Sequence, residues 1–115
     1  MSRHVSTDLP RVSILMPVRN EQAYIERSLN AVFAQDYPED LVEVIVCDGM
    51  STDETRAIVQ ALQTSHPNLA LIDNPGLTAP AALNLATRSA SGDILVRVDG
   101  HCEIAKRSEE RRVGK

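Results

Sequence analysis

Aromatic side chains are scarce in this chain: one Phe, two Tyr and no Trp among 115 residues. Any core must therefore be aliphatic. No apolar run approaches the roughly 18 residues of a membrane span. The N-terminus also lacks a signal-peptide-like apolar stretch, so nothing here directs secretion. Only two cysteines occur, Cys47 and Cys102, and they read as free thiols in a reducing cytoplasm. Positive charge is outweighed, with 12 Lys and Arg against 16 Asp and Glu and a net charge of −4. That balance argues against a nucleic-acid binder relying on phosphate attraction. It leaves room for a nucleotide held through a metal ion. Glycine-rich phosphate loops are missing too: there is no G-x-G-x-x-G after the first strand and no G-x-x-x-x-G-K-[ST]. Pro17-Val-Arg-Asn-Glu21 stands where such a loop would be, which argues against a dinucleotide-binding domain and a nucleotide triphosphatase. A serine or cysteine nucleophile with a histidine base finds no support either, since His4 and His66 fall in loops.

What is present suits one small domain, with 43% hydrophobic and 24% charged residues. Residues 1–10 are polar and read as a loose lead-in. Val12–Val18 is a nearly continuous apolar run, as expected of a strand covered on both faces. Asn20 is placed to cap a helix whose inner side carries Ile25, Leu29, Val32 and Phe33. Asp36-Tyr37-Pro38 closes that helix. Val42–Cys47 is a second β-branched strand, ending at Asp48-Gly49. Ser51 and Glu54 have capping-box spacing, with Ile58, Ala61 and Leu62 as the buried stripe behind them. Leu69–Ile72 reads as a third strand. Thr78 caps a third helix that tolerates Pro80 in its first turn and turns Ala82, Leu85 and Ala86 inward. Asp93–Val98 is a fourth strand, delivering Asp99-Gly100-His101. Strands alternating with helices predict an α/β domain with a parallel sheet and helices on both faces.

Ligands of such sheets sit outside the carboxyl ends of the strands, where the winding reverses. The common winding order places the first strand between the second and the fourth. The polar tips Arg19-Asn20-Glu21, Asp48-Gly49 and Asp99-Gly100-His101 would then line one crevice. One acidic strand end often does no more than cap a turn. Three converging ends ask for a ligand. In an extended stretch Asp99, His101 and Glu103 present their side chains to one side, and oxygen and imidazole donors at that spacing suit a divalent cation. Glu103 is the least secure of the three.

The segment Arg107–Lys115 has no apolar periodicity and resembles the translation of a common sequencing adapter. It is set aside as non-native. The domain then occupies residues 11–106, carries a net charge of about −6, and is the front part of a longer protein.

Val12-Ser-Ile-Leu-Met-Pro-Val-Arg-Asn-Glu21, Glu43-Val-Ile-Val-Cys-Asp-Gly-Met-Ser-Thr-Asp53 and, after Asn84, Gly92-Asp-Ile-Leu-Val-Arg-Val-Asp-Gly-His101 resemble the family-2 glycosyltransferases. The likeness is nearest to bacterial exopolysaccharide transferases of the succinoglycan-glucosyltransferase type, which share Asp-Gly-His-Cys-Glu. The resemblance implies a glycosyltransferase A-type fold, truncated to its nucleotide-binding half. It implies a nucleotide-sugar donor, usually a UDP-sugar, a divalent metal (Mn²⁺ or Mg²⁺), and a saccharide or lipid-linked acceptor. Pro17, Arg19 and Glu21 would border the nucleoside, and Asp48 would accept a hydrogen bond from the base ring N–H. Asp99 would lie at the ribose and metal, with His101 where the family usually has the second aspartate of Asp-x-Asp. Arg19 replaces a common aromatic, so a guanidinium would stack on the base. Leu83 replaces a common arginine and removes a phosphate contact. Transfer in the family inverts the anomeric carbon and needs a carboxylate base. No strong candidate for that base occurs here, so this fragment is expected to be inactive. The whole protein would work in the cytoplasm or at the cytoplasmic face of the inner membrane. A receiver-type signalling domain needs an acidic pair after its first strand, and a sugar nucleotidyltransferase needs a glycine loop. Both are lacking.

Overall fold

The computed structural model describes residues 9–76 and 78–99. The first eight residues of the lead-in, and His101, Cys102, Glu103 and the segment 107–115, lie outside them. The elements run β1 (Val12–Val18), α1 (Ile25–Phe33), a 3-10 turn at Glu39–Leu41, β2 (Val42–Asp48), α2 (Thr55–Gln63), β3 (Leu69–Asp73), α3 (Ala79–Ser89) and β4 (Ile94–Arg97). The four strands form one parallel sheet in the order β3-β2-β1-β4. β1 therefore sits between β2 and β4, as the common winding order requires.

Both faces of the central strands are covered, and alternation along each strand decides which residue goes where. Met16, Val44 and Val46 turn to the side packed by Ile25, Leu29 and Val32 of α1 and Val59 of α2. Leu15 and Ile45 turn the other way, onto Ala86 of α3 with Leu83 packed beside it. Leu83 is thus a partly buried residue packed against the smaller layer, which accounts for an apolar side chain there. The core is aliphatic throughout, with Met16, Ile25 and Leu29 fully buried. Cys47 is a buried free thiol. Burial, and then the neighbouring Asp48 and Asp73 carboxylates, push its ionisation upward, so it is inert.

At the amino ends of the strands a polar clasp ties β2 to the β4 approach. Glu43 Oε2 accepts from Ser13 Oγ (2.5 Å), Ser91 N (2.5 Å) and Ser91 Oγ (3.1 Å). Ser13 Oγ in turn accepts from Gly92 N at 2.8 Å. Gly92 is obligatory here: a Cβ would lie 2.6 Å from Ser13 Oγ and 2.9 Å from the Val12 carbonyl carbon.

Three local expectations are corrected. Asn20 does not cap α1, whose N-cap is Tyr24 without a side-chain bond. Asn20 instead takes a left-handed backbone (φ 53°) and its Oδ1 accepts from Thr52 N. The Ser51–Glu54 capping box does not form, because Ser51 spends its donors on Asp48 and α2 starts only at Thr55. The Thr55 N–H is satisfied by Asp53 Oδ1 at 2.9 Å. On α2 the buried residues are Thr55 and Val59, with Ile58 and Leu62 packed alongside, while Ala61 is exposed. The Thr78 cap on α3 is present, accepting from Ala81 N at 3.3 Å, with proline in the first turn.

Candidate functional site

Because every strand is parallel, all the carboxyl ends fall on one edge of the sheet. Val18, Asp48 and Asp73 stand level across β1, β2 and β3. On the other side β4 pairs with β1 up to Leu15↔Arg97, and Val98 N donates to Leu15 O at 3.0 Å. Asp99 follows two residues after the end of β4, on the same side of the sheet. The tips at 17–21, 48 and 99 therefore share one edge, with β1 between the two aspartates.

The loops after β1 and β2 are laced into one platform. Asn20 N donates to Ser51 Oγ, Thr52 N to Asn20 Oδ1, Glu21 N to Thr55 Oγ1 and Glu54 N to Gln22 Oε1, each at 2.8 Å. Gly49 N donates to Val18 O, also at 2.8 Å. Arg19 lies across this seam, its Nε donating to Gly49 O at 2.9 Å. Each loop thus satisfies backbone donors of the other. Met50 adopts a left-handed backbone (φ 60°) within the platform and leaves its side chain half exposed.

Asp48 is fully buried, yet among polar partners. Its Oδ1 accepts from Ser51 Oγ at 2.5 Å, and its Oδ2 from Ser51 N at 3.1 Å and Arg56 Nη1 at 3.0 Å. The same Arg56 nitrogen donates to Asp73 Oδ1 at 2.6 Å. Hydrogen bonds donated to Asp48 first, and to Asp73 next, raise the guanidinium above its ordinary value. A carboxylate offers about four lone-pair positions. Three donors therefore leave one on Asp48, which a ligand reaches only when a neighbouring side chain swings aside.

A cavity of about 140 Å³ opens between β1 and α3, lined by Pro17, Arg19, Glu21, Asn74, Thr78 and Ala79 among others. Asp48 is not one of its walls, but the Asp48 carbonyl accepts from the backbone N–H of the wall residue Asn74 at 2.8 Å. Three of the cavity's walls are residues expected from sequence to border a nucleoside. Asn74, 1% exposed, shapes the far wall: its Nδ2 donates to Thr78 O and its Oδ1 accepts from Gly76 N.

Asp99 is half exposed and contacts Arg97 Nη2 at 3.4 Å. An open carboxylate at a strand end suits one oxygen ligand of a hard or borderline cation. Among the described residues no three His, Cys, Asp or Glu side chains gather as a metal site. His101, the second expected ligand, lies outside the described residues. Ser51 and Arg56, bonded to Asp48, Asp73, bonded to Arg56, and Asn74, a wall of the cavity, are residues that sequence reasoning misses here. A signal exists for Arg56, a cation in the first turn of a helix, where the macrodipole disfavours positive charge.

A parallel α/β sheet with acidic strand ends on one edge and no glycine loop defines a class of domain that takes its ligand at that edge. Comparison with known proteins makes this specific. The profile described as glycosyl transferase family 2 matches residues 13–114. The glycosyltransferase AglE of Haloferax volcanii is 38% identical over 110 residues, 95% of this chain and 36% of that protein. The succinoglycan biosynthesis protein ExoA of Rhizobium meliloti is 36% identical over 90 residues, 76% of this chain and 27% of that protein. Among solved structures, the mannosyltransferase PcManGT of Pyrobaculum calidifontis in complex with GDP-Man and Mn²⁺ superposes with a TM-score of 0.76. It is 39% identical, and the match covers 80% of this chain and 28% of that one. The chain belongs to glycosyl transferase family 2, and its fold is the glycosyltransferase A type. It spans 36% and 27% of the lengths of the two curated relatives.

Proposed function

We propose that this chain is the donor-binding part of a glycosyltransferase that takes its sugar from a nucleoside diphosphate. The observation that carries the proposal is the cavity walled by Pro17, Val18, Arg19 and Glu21, with Asp48 paired to Val18 on the next strand, at the sheet edge toward which β4 also runs. In this reading the base enters between Pro17 and Arg19, whose guanidinium, pinned on Gly49 O, offers a flat cationic face. Glu21 borders the nucleoside. Asp48 accepts the ring N–H and thereby distinguishes bases that carry one. Asp99 receives a ribose hydroxyl and, with His101, would hold a divalent cation. That cation supplies charge to offset the departing diphosphate. Imidazole is a softer donor than carboxylate, which favours Mn²⁺ over Mg²⁺. The similar mannosyltransferase was solved with GDP-Man and Mn²⁺, which supports a nucleotide-sugar and a metal as the ligands of this chain.

The complete enzyme would transfer the sugar, with inversion, to a saccharide or lipid-linked saccharide acceptor at the cytoplasmic side of a membrane. No helix among the described residues is long and apolar enough to cross one. The acceptor site and the catalytic base belong to sequence beyond the domain at 11–106, with 107–115 read as non-native. This chain alone therefore binds donor without turning it over.

Isothermal calorimetry with UDP and GDP, with and without Mn²⁺, tests the reading. Metal-dependent binding of one nucleotide, weakened at least tenfold in Pro17→Ala/Arg19→Ala, is expected. No binding of either nucleotide would sink the donor-site proposal, and turnover of a donor would overturn the expected inactivity. The DNA downstream of the Lys106 codon should encode an acidic acceptor-side motif.

A further inference from the structure

We infer that Arg56 is a positioning residue for base recognition, setting the orientation of the Asp48 carboxylate from the Asp73 side. The inference rests on the Asp48 assignment above. Arg56 occupies the second position of α2, where a cation opposes the helix dipole. A residue that breaks a local rule this way needs a tertiary reason. The reason is geometric: a single nitrogen, Nη1, reaches both Asp48 Oδ2 (3.0 Å) and Asp73 Oδ1 (2.6 Å). Those two aspartates end adjacent strands and stand level with one another. A guanidinium spanning them fixes the tip of β2 to the tip of β3.

The consequence falls on Asp48. Ser51 holds its carboxylate from within the same turn, three residues away, and moves with that turn. Arg56, by contrast, ties the carboxylate to a different strand. The carboxylate is fully buried, whereas the Arg56 and Asp73 side chains are 35% and 62% exposed. The exposed end of the bridge is thus an anchor on the protein surface, and the buried end is the group being aimed. With Oδ2 taken by Arg56 and Ser51, the lone pair left for a ligand is on Oδ1. Remove the guanidinium, and the carboxylate keeps only its Ser51 donors and loses its tie to β3, so that it shifts with its own turn and divides its acceptor among several directions.

A merely structural bridge and a positioning bridge differ in what they do to base discrimination. The test compares the affinity of the whole chain for UDP with that for N3-methyl-UDP, which lacks the ring donor, in Mn²⁺ buffer. Wild type should prefer UDP by roughly ten- to a hundredfold, the span of one hydrogen bond to a charged acceptor. In Arg56→Gln that ratio should fall to within about threefold of unity, an order-of-magnitude expectation for losing the same bond, chiefly through weaker UDP binding. Arg56→Lys, which keeps the charge on a compact ammonium of different shape and reach, should recover part of it. Asp73→Asn, at an exposed site that leaves the fold intact, should lower the ratio as well and serves as the readout should Arg56→Gln fail to fold. A wild type without preference would refute the Asp48 assignment itself. A wild type with preference, retained in Arg56→Gln or, where that variant does not fold, in Asp73→Asn, would refute the role of Arg56 alone.

Discussion

Glu43 shows how much one side chain can organise. Burial pushes its carboxyl upward, but the hydrogen bonds from Ser13 and Ser91, with Arg11 nearby, outweigh this and leave it below the ordinary 4.5. A folded-state value below the unfolded one gives stability that is present above the unfolded pKa. That stability is lost as pH falls through the lowered, folded one. The clasp should therefore weaken from about pH 4.5 downward. Glu43→Gln should lower unfolding free energy near neutrality by about 1–2 kcal/mol, since a neutral amide accepts these bonds more weakly. It should also flatten the acid limb of stability. Urea titrations at pH 7 and at about pH 4 check both effects, and an unchanged acid limb would show that Glu43 does not set it.

Helix ends, at the scale of elements, follow local propensity only where nothing competes for the capping side chain. Thr78 caps α3 as its position suggests, its Oγ1 accepting from Ala81 N. Thr78→Ala should cost about 0.5–1 kcal/mol, at the low end for caps because the bond is long. A thermal midpoint indistinguishable from wild type would show that the Asn74 bond to the Thr78 carbonyl suffices. Asn20 and Ser51 are equally good cap residues, yet both are claimed by partners some thirty positions away or by a buried carboxylate. Local propensity lost to a polar network that only the assembled β1 and β2 loops create.

At the scale of the whole molecule, β4 is an edge strand with little cover among the described residues. Ile94 and Leu95 point to opposite faces and are 45% and 46% exposed. An apolar edge of this kind invites strand pairing between copies. Ile94→Lys/Leu95→Lys should shift the chain toward monomer at micromolar concentration in sedimentation velocity. Equal self-association of both proteins would mean that the contact lies elsewhere.

Sequence alone determined the alternation of strands and helices, the parallel sheet and the edge on which the acidic tips gather. Those follow from apolar periodicity and from the handedness of crossovers, which are local or nearly universal. The family followed from three motifs in order. Tertiary structure decided what each polar side chain does. Asp48 is a sealed carboxylate shared by Ser51 and Arg56, Asp73 is bonded to the same Arg56, and Gly92 is a point where two backbone segments nearly touch. A hydrogen bond spans about 3 Å, and no spacing rule along the chain reports which residues from different loops arrive within that distance.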